Sequence, residues 1–246
     1  MPKPARDQLS VVYEDNHLIV LDKPPMLATM GVSGNEKSLL TLAKDYIRQK
    51  YAKPGNVYLG VVSRLDSHSR GLVVFARTSK AAARLTEQFK AGTVAKRYLA
   101  IVSAEVADHG SWQDFLVKDE KLQRVVIASQ GHPHHAQAKL ARLEFTSLAA
   151  RHNVRLVDIR LETGRKHQIR VQFASRGAPL IGDIKYGWRD EGEIAWQRER
   201  GIALLAYRLE FDHPTRAERM YFSASTPENW PFIDVIRQHI SSQFSA

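Results

Sequence analysis

An α+β fold is predicted, with a mixed, mainly antiparallel central sheet flanked by helices and loops. Short apolar runs separated by a few turn-forming residues recur along the chain, as hairpins require. Segments with helical spacing are few and scattered irregularly among them. A doubly wound parallel sheet would instead alternate strand and helix regularly. The chain has 246 residues, 43% of them hydrophobic, which is enough for a substantial core.

Val11 to Tyr13 and Leu18 to Leu21 read as strands about the turn Glu14-Asp15-Asn16-His17, and Lys23-Pro24-Pro25 ends the second. Ser38 is placed to cap a helix that carries Leu39, Leu42, Ala43, Tyr46 and Ile47, stopped by Lys53-Pro54-Gly55. From Gly60 to Ala76 two apolar runs flank a polar turn containing Asp66. If Arg64 to Asp66 are extended, Arg64 and Asp66 share one face and Leu65 takes the other. Ser79 begins a second helix, with Ala82, Leu85 and Phe89 on one side and Gly92 at its end.

Lys96 to Val102 reads as a strand, and the polar stretch from Glu105 to Gly131 as hairpins and loops around Val125-Val126-Ile127. Leu140 to Phe145 and Val154 to Leu161 are further strands. Ile169 and Phe173, four apart, favour a helix that starts near Gly164 or Arg165 and stops at Arg176-Gly177. Ile202 to Phe211 and Met220 to Ser223 supply the last strands, before a carboxy-terminal helix at about 231–242.

Lys and Arg number 36 against 26 Asp and Glu, a net charge of +10, which suits a polyanionic partner. With no cysteine, disulfides, thiolate catalysis and Cys-ligated zinc are excluded. No apolar signal core opens the sequence and no segment approaches a spanning helix, so a cytoplasmic protein without membrane attachment is expected. His132, His134 and His135 cluster, but they lack a matching acidic partner motif, so no metal is expected.

Taken alone, Asp66 is a turn residue and Arg64 a solvated neighbour, since Asp and Ser favour turns for reasons unrelated to chemistry. A second polar cluster, Glu162 to Gln172, stands at the expected helix start, where backbone N–H groups and added Arg and Lys attract phosphate or carboxylate. A solvated helix face would give the same pattern.

Arg64-Leu65-Asp66, followed by Ser69, Gly71-Leu72 and an apolar strand, resembles the catalytic motif of the RluA family of RNA pseudouridine synthases. Gly164-Arg165-x-His167-Gln168-Ile169-Arg170-Val171 resembles a second signature of that family, and Ile181-Gly182-Asp183-x-x-Tyr186-Gly187 a third stretch. Lys96-Arg97-Tyr98-x-Ala100-x-Val102 is similar to the strand that supplies its active-site tyrosine. Weaker echoes are Asp15-x-x-Leu18-x-Val20-x-x-Lys23-Pro24 and Leu209-x-Phe211-x-His213-Pro214, so the likeness runs in order from Tyr13 to Pro214.

The resemblance implies the pseudouridine synthase catalytic fold in a single domain over 1–246, with a core at about 10–225 and no accessory amino-terminal RNA-binding domain. It implies isomerisation of uridines in rRNA or tRNA to pseudouridine, without an external cofactor; nothing in the sequence demands a partner subunit, so a monomer is expected. Asp66 is the implied nucleophile, attacking either C1′ of the ribose or C6 of the uracil. Tyr98 would pack against the uracil and take the C5 proton. Arg170 is the implied ion-pair partner that keeps Asp66 charged, against the tendency of burial to neutralise it. Arg64 would support base flipping. Arg165 or Lys166 would contact RNA phosphate, with His167 and Gln168 beside them on the substrate-binding segment.

The chain differs from the family pattern near Asp66. Ser63 stands where the family commonly has histidine, Ser69 where it has threonine, and Arg70 where it has serine. Arg70 adds a further candidate phosphate contact or is a neutral surface change. Two other readings account for parts of the pattern: an RNA-binding protein that keeps the fold without catalysis, and a carboxylate-dependent glycosidase or nucleosidase, for which no second carboxylate motif is evident.

Overall fold

Asp15 folds the chain back on itself by accepting the backbone N–H groups of His17 (2.7 Å) and Leu18 (2.9 Å), an Asx-type turn. It thereby joins β1 (Ser10–Glu14) to β2 (Leu18–Lys23) in an antiparallel pair. The computed structural model describes residues 9–31, 37–103, 106–190 and 196–243. The chain divides into two compact units. One comprises the chain up to Ala95 with Ala206–Ser225, the other Lys96–Leu205 with the chain from Thr226.

In the first unit β2 is buried along its whole length and pairs with β4 (Arg70–Ala76), from Leu18 opposite Ala76 to Lys23 opposite Gly71. The other edge of β4 is shared. β3 (Gly60–Val61) meets only Phe75 and Ala76, and β10 (Leu204–Asp212) follows, itself paired with β11 (Arg219–Ser223). Helix α1 (Leu39–Lys50) starts at a capping box between Ser38 and Thr41. It buries Leu39, Leu42, Ala43 and Ile47 against Ile19, Leu21, Val73 and Phe75, one alternating face of the sheet. Helix α2 (Ser79–Ala91) is capped by Thr78 and ends at Gly92, which takes the left-handed conformation that glycine accepts without strain.

The second unit is an antiparallel sheet in the order β5 (Ala95–Val102), β9 (Val154–Leu161), β8 (Lys139–Arg151), β6 (His109–Asp119), β7 (Arg124–Ile127). β6 is one long strand where hairpins and loops are the expectation. Its residues alternate in exposure, so its apolar content is diluted to a level that reads as loop. Helix α3 (Gln168–Ala174) is shorter than the apolar spacing suggests, because His167 takes a left-handed backbone (φ 54°) and no helix can run through it. Ile169 and Phe173 join the core of Leu143, Phe145, Ile159 and Leu161, whereas Val171 packs with Leu116, Val125, Ala141 and Tyr186. Helix α4 (Ile233–Ser242) buries Ile236 and Ile240 and is tied to β9 by His239, 2.9 Å from the Asp158 carboxylate. No described helix is long and apolar enough to cross a membrane.

Candidate functional site

Asp66 lies in the loop of the β3–β4 hairpin, and side chains hold that loop where backbone pairing stops. Ser63 Oγ accepts from the Val74 N–H (3.2 Å) and donates to the Val74 carbonyl (3.4 Å). Buried Thr29 does the same for Leu65, donating to its carbonyl (2.8 Å) and accepting its N–H (3.1 Å). Leu65 therefore points into the first core and Arg64 stands exposed. Asp66 follows with its side chain 14% exposed. Its Oδ1 lies 3.4 Å from both Ser67 Oγ and the His68 N–H, and its own carbonyl accepts the Ser69 N–H (3.1 Å), closing the turn.

Beneath this turn sits Lys23, fully buried. Its ammonium lies within hydrogen-bond distance of the carbonyls of Ser69 (2.5 Å), Leu27 (2.8 Å), Pro24 (2.9 Å) and Ser67 (3.2 Å), so one side chain ties the turn after Asp66 to the segment that follows β2. Burial pulls its pKa down to about 7, against the charge of Asp66, which favours the protonated form. Gly71, the second residue of the return strand, stands at φ +113°, where an added Cβ would lie 2.3 Å from the Ala206 carbonyl oxygen, so only glycine fits. The two weak sequence echoes also meet in this unit. His213 Nε2 is 2.8 Å from Asp15. Although burial raises it, the His17 and Leu18 N–H groups and His213 bring Asp15 down to about 2.

The second unit holds Tyr98, Arg165, Lys166, His167, Gln168 and Arg170. Tyr98 lies on β5 opposite Ile159, against the core of that unit, and burial pushes its hydroxyl up to about 12. Gln168 is 3% exposed, and its amide is spent within the protein. The oxygen accepts from Thr163 Oγ1 (2.8 Å) and the Arg165 N–H (3.0 Å), and the nitrogen donates to the Arg142 carbonyl (3.0 Å). It therefore shapes the loop that displays Arg165 and Lys166, both exposed. Arg165 Nε holds the Leu140 carbonyl (2.8 Å), and His167 Nδ1 lies 2.9 Å from the Tyr186 hydroxyl.

Arg170 is 4% exposed and is gripped by Asp183, itself 1% exposed. Nε donates to Oδ2 and Nη2 to Oδ1, both at 2.7 Å, the parallel fork that guanidinium and carboxylate form best. The Tyr186 ring lies 4.9 Å from the guanidinium carbon. The stretch from Ile181 to Gly187 thus gains a meaning that its spacing did not disclose. Gly182 (φ +82°) leaves no room for a side chain beside Trp196, Asp183 holds Arg170, and Tyr186 touches both Arg170 and His167. Lys23 and Thr29 are likewise functional neighbours to which sequence reasoning assigned no role. The signal available for Lys23 was its place in the echo Lys23-Pro24, and Thr29 left none.

Among the described residues no group of three or more His, Asp or Glu side chains is arranged to hold a metal ion. The family model for RNA pseudouridylate synthase matches residues 17–175. A Zymomonas mobilis protein named ribosomal large subunit pseudouridine synthase D is 32% identical over 243 residues, covering 93% of this chain and 74% of that protein. A Xanthomonas campestris protein of the same name is 34% identical over 230 residues, covering 90% and 67%. Two solved human structures, RNA pseudouridylate synthase domain containing 4 and domain containing 1, each align with a TM-score of 0.71. They are 20% and 21% identical and cover 94% and 98% of this chain and 93% and 98% of their own, a likeness of fold.

Proposed function

The chain belongs to the RNA pseudouridylate synthase family, and on that premise we propose that it isomerises uridines of large-subunit ribosomal RNA with Asp66 as nucleophile. The RNA class follows the names of the relatives. The observation that supports the assignment to Asp66 is its setting, a partly exposed carboxylate on a loop anchored by Ser63, Thr29 and the buried Lys23 ammonium. A nucleophile that must meet one carbon of a flipped nucleotide needs such a fixed support.

The reaction conserves atoms. The Asp66 carboxylate adds to C1′ or C6, the N1–C1′ bond breaks, and the uracil turns. C5 then bonds to C1′, the C5 proton leaves, N1 is protonated and the carboxylate is released. A uridine within folded RNA must first be flipped out, at a cost of a few kcal/mol. Exposed Arg64, two residues before the nucleophile, supplies a planar cation for the gap or a flanking phosphate. Arg170, its plane oriented by Asp183 and Tyr186, is the cation that the family motif assigns as partner of the nucleophile. Tyr98 offers its ring to the uracil face and its hydroxyl for transfer of the C5 proton, and burial favours the neutral phenol. Arg165 and Lys166 bind phosphate, on a loop that Gln168 and His167 hold in shape.

Tritium release from unmodified large-subunit rRNA labelled at uracil C5 tests the reading. Wild-type protein releases tritium, and Asp66→Asn reduces release to background. Absence of release from any rRNA or tRNA, or full release by Asp66→Asn, overturns it.

A further inference from the structure

Arg70 opens β4 four residues after Asp66 and is partly buried, yet its side chain makes no hydrogen bond or ion pair with any described residue. Its Nε is fully enclosed without a partner. The preceding Ser69 is 1% exposed, and its hydroxyl also lacks a partner. Two consecutive buried donors at one turn are costly, because each gives up water without a protein acceptor in return.

The position is fixed on both sides. Lys23 holds the Ser69 carbonyl, and Gly71 is wedged against the Ala206 backbone, so Arg70 has little freedom to find a distant acceptor. The neighbouring charges locate the guanidinium. Asp22 acts on Arg70, while Lys23 feels both Arg70 and Asp66, so all four belong to one small cluster in the first unit. Asp22 is already engaged, accepting the Ser225 N–H at 2.7 Å. A guanidinium with five donors is matched best by an anion with several oxygens, and phosphate accepts its fork in pairs.

We propose that Arg70 binds a phosphate flanking the target uridine, with the Ser69 hydroxyl as a neighbouring donor, and so helps set which uridine meets Asp66. This rests on the isomerase reading for the identity of the ligand as RNA. The family's usual serine would offer one neutral hydroxyl where Arg70 offers a charged fork, so the contact is expected to bear on this chain's own substrate choice.

The probe is a single-stranded RNA nonamer with one uridine, made with phosphodiesters throughout or with a neutral methylphosphonate 5′ or 3′ to that uridine. Arg70→Gln should bind the unmodified strand about 10-fold more weakly. On a large-subunit rRNA fragment its salt slope should be shallower by about 0.7. One methylphosphonate should weaken the wild type about 10-fold and leave Arg70→Gln nearly unchanged, a coupled pair. Arg70→Met should melt at or above the wild-type temperature, because the arginine side chain has no hydrogen bond or ion pair within the protein to lose and sheds an enclosed donor.

Equal affinity of wild type and Arg70→Gln, no binding of the nonamer by wild type, additive losses at both phosphates, or a clear fall in the Arg70→Met melting temperature each overturns the proposal. Additive losses would assign the arginine to the base rather than to phosphate. Pseudouridine formed by wild type with an additive cycle sinks this inference alone. Arginine-dependent, phosphate-coupled binding without any product sinks the isomerase reading alone.

Discussion

Replacing Asp183 by alanine removes the carboxylate that matches two parallel donors of Arg170, in a place where both residues are at most 4% exposed. Breaking a buried pair from one side costs about 3–5 kcal/mol, because the remaining charge loses its two-pronged carboxylate in a place that water hardly reaches. Asp183 also accepts the Tyr186 N–H at 3.3 Å, so the upper part of that range is expected. For a chain of this size each kcal/mol lowers the melting temperature by about 2–4 °C, so the variant should melt about 6–20 °C lower. The double variant Asp183→Leu/Arg170→Met removes both charges and should recover much of the loss, since a buried pair exchanged for apolar groups is often nearly neutral. Urea unfolding followed by circular dichroism gives both numbers. A single variant within about 1 kcal/mol of wild type, or a double variant no better than the single, would refute the account of Arg170 as a buried and paired cation.

Gly71→Ala should destabilise the protein by at least about 2 kcal/mol, combining left-handed strain with the contact against Ala206; an unchanged urea midpoint contradicts this. Tyr186→Phe keeps the ring under Arg170 but leaves the Val125 N–H, now 3.1 Å from the hydroxyl, without its acceptor. Denaturant titration should show a loss of about 1–3 kcal/mol, and a neutral result would mean that this donor finds another acceptor. Burial raises the pKa of Asp158, but its bonds to His239 and Arg97 outweigh burial and hold it below the ordinary value. Its contribution is therefore present above the unfolded value of about 4 and is lost as pH falls through the lower folded value. Asp158→Asn should flatten the acid limb of the stability curve, and parallel curves for the two proteins from about pH 7 to about pH 2.5 would count against it.

The first hairpin, α1 and α2 were legible because their signals are local: a turn-forming Asp15, a capping Ser38 and a terminal Gly92 each act within four residues of themselves. The start of α3 was not, since no apolar residue between Leu161 and Ile169 marks where the helix begins, and the loop before it is held by contacts remote in sequence, such as Gln168 to Arg142. β6 was hidden because a strand exposed on one face carries too few apolar residues to stand out. The residues named as candidates were found by motif, whereas the side chains that hold them were not. Lys23 reaches Ser69 and Asp183 reaches Arg170 from distant segments, and nothing in a linear pattern states who will be opposite whom.

The order in which the two units appear along the chain bears on how the protein is made. The first unit begins at the amino-terminal side but needs Ala206–Ser225, so β4 gains its β10 neighbour only after the second unit's main segment has been synthesised. Until then the edge of β4 at Gly71, seated on Ala206 in the finished fold, exposes unpaired backbone that can pair with another chain. Folding on the ribosome therefore ends close to where catalysis is proposed to begin: the strand that follows Asp66 is among the last parts of the first unit to be completed.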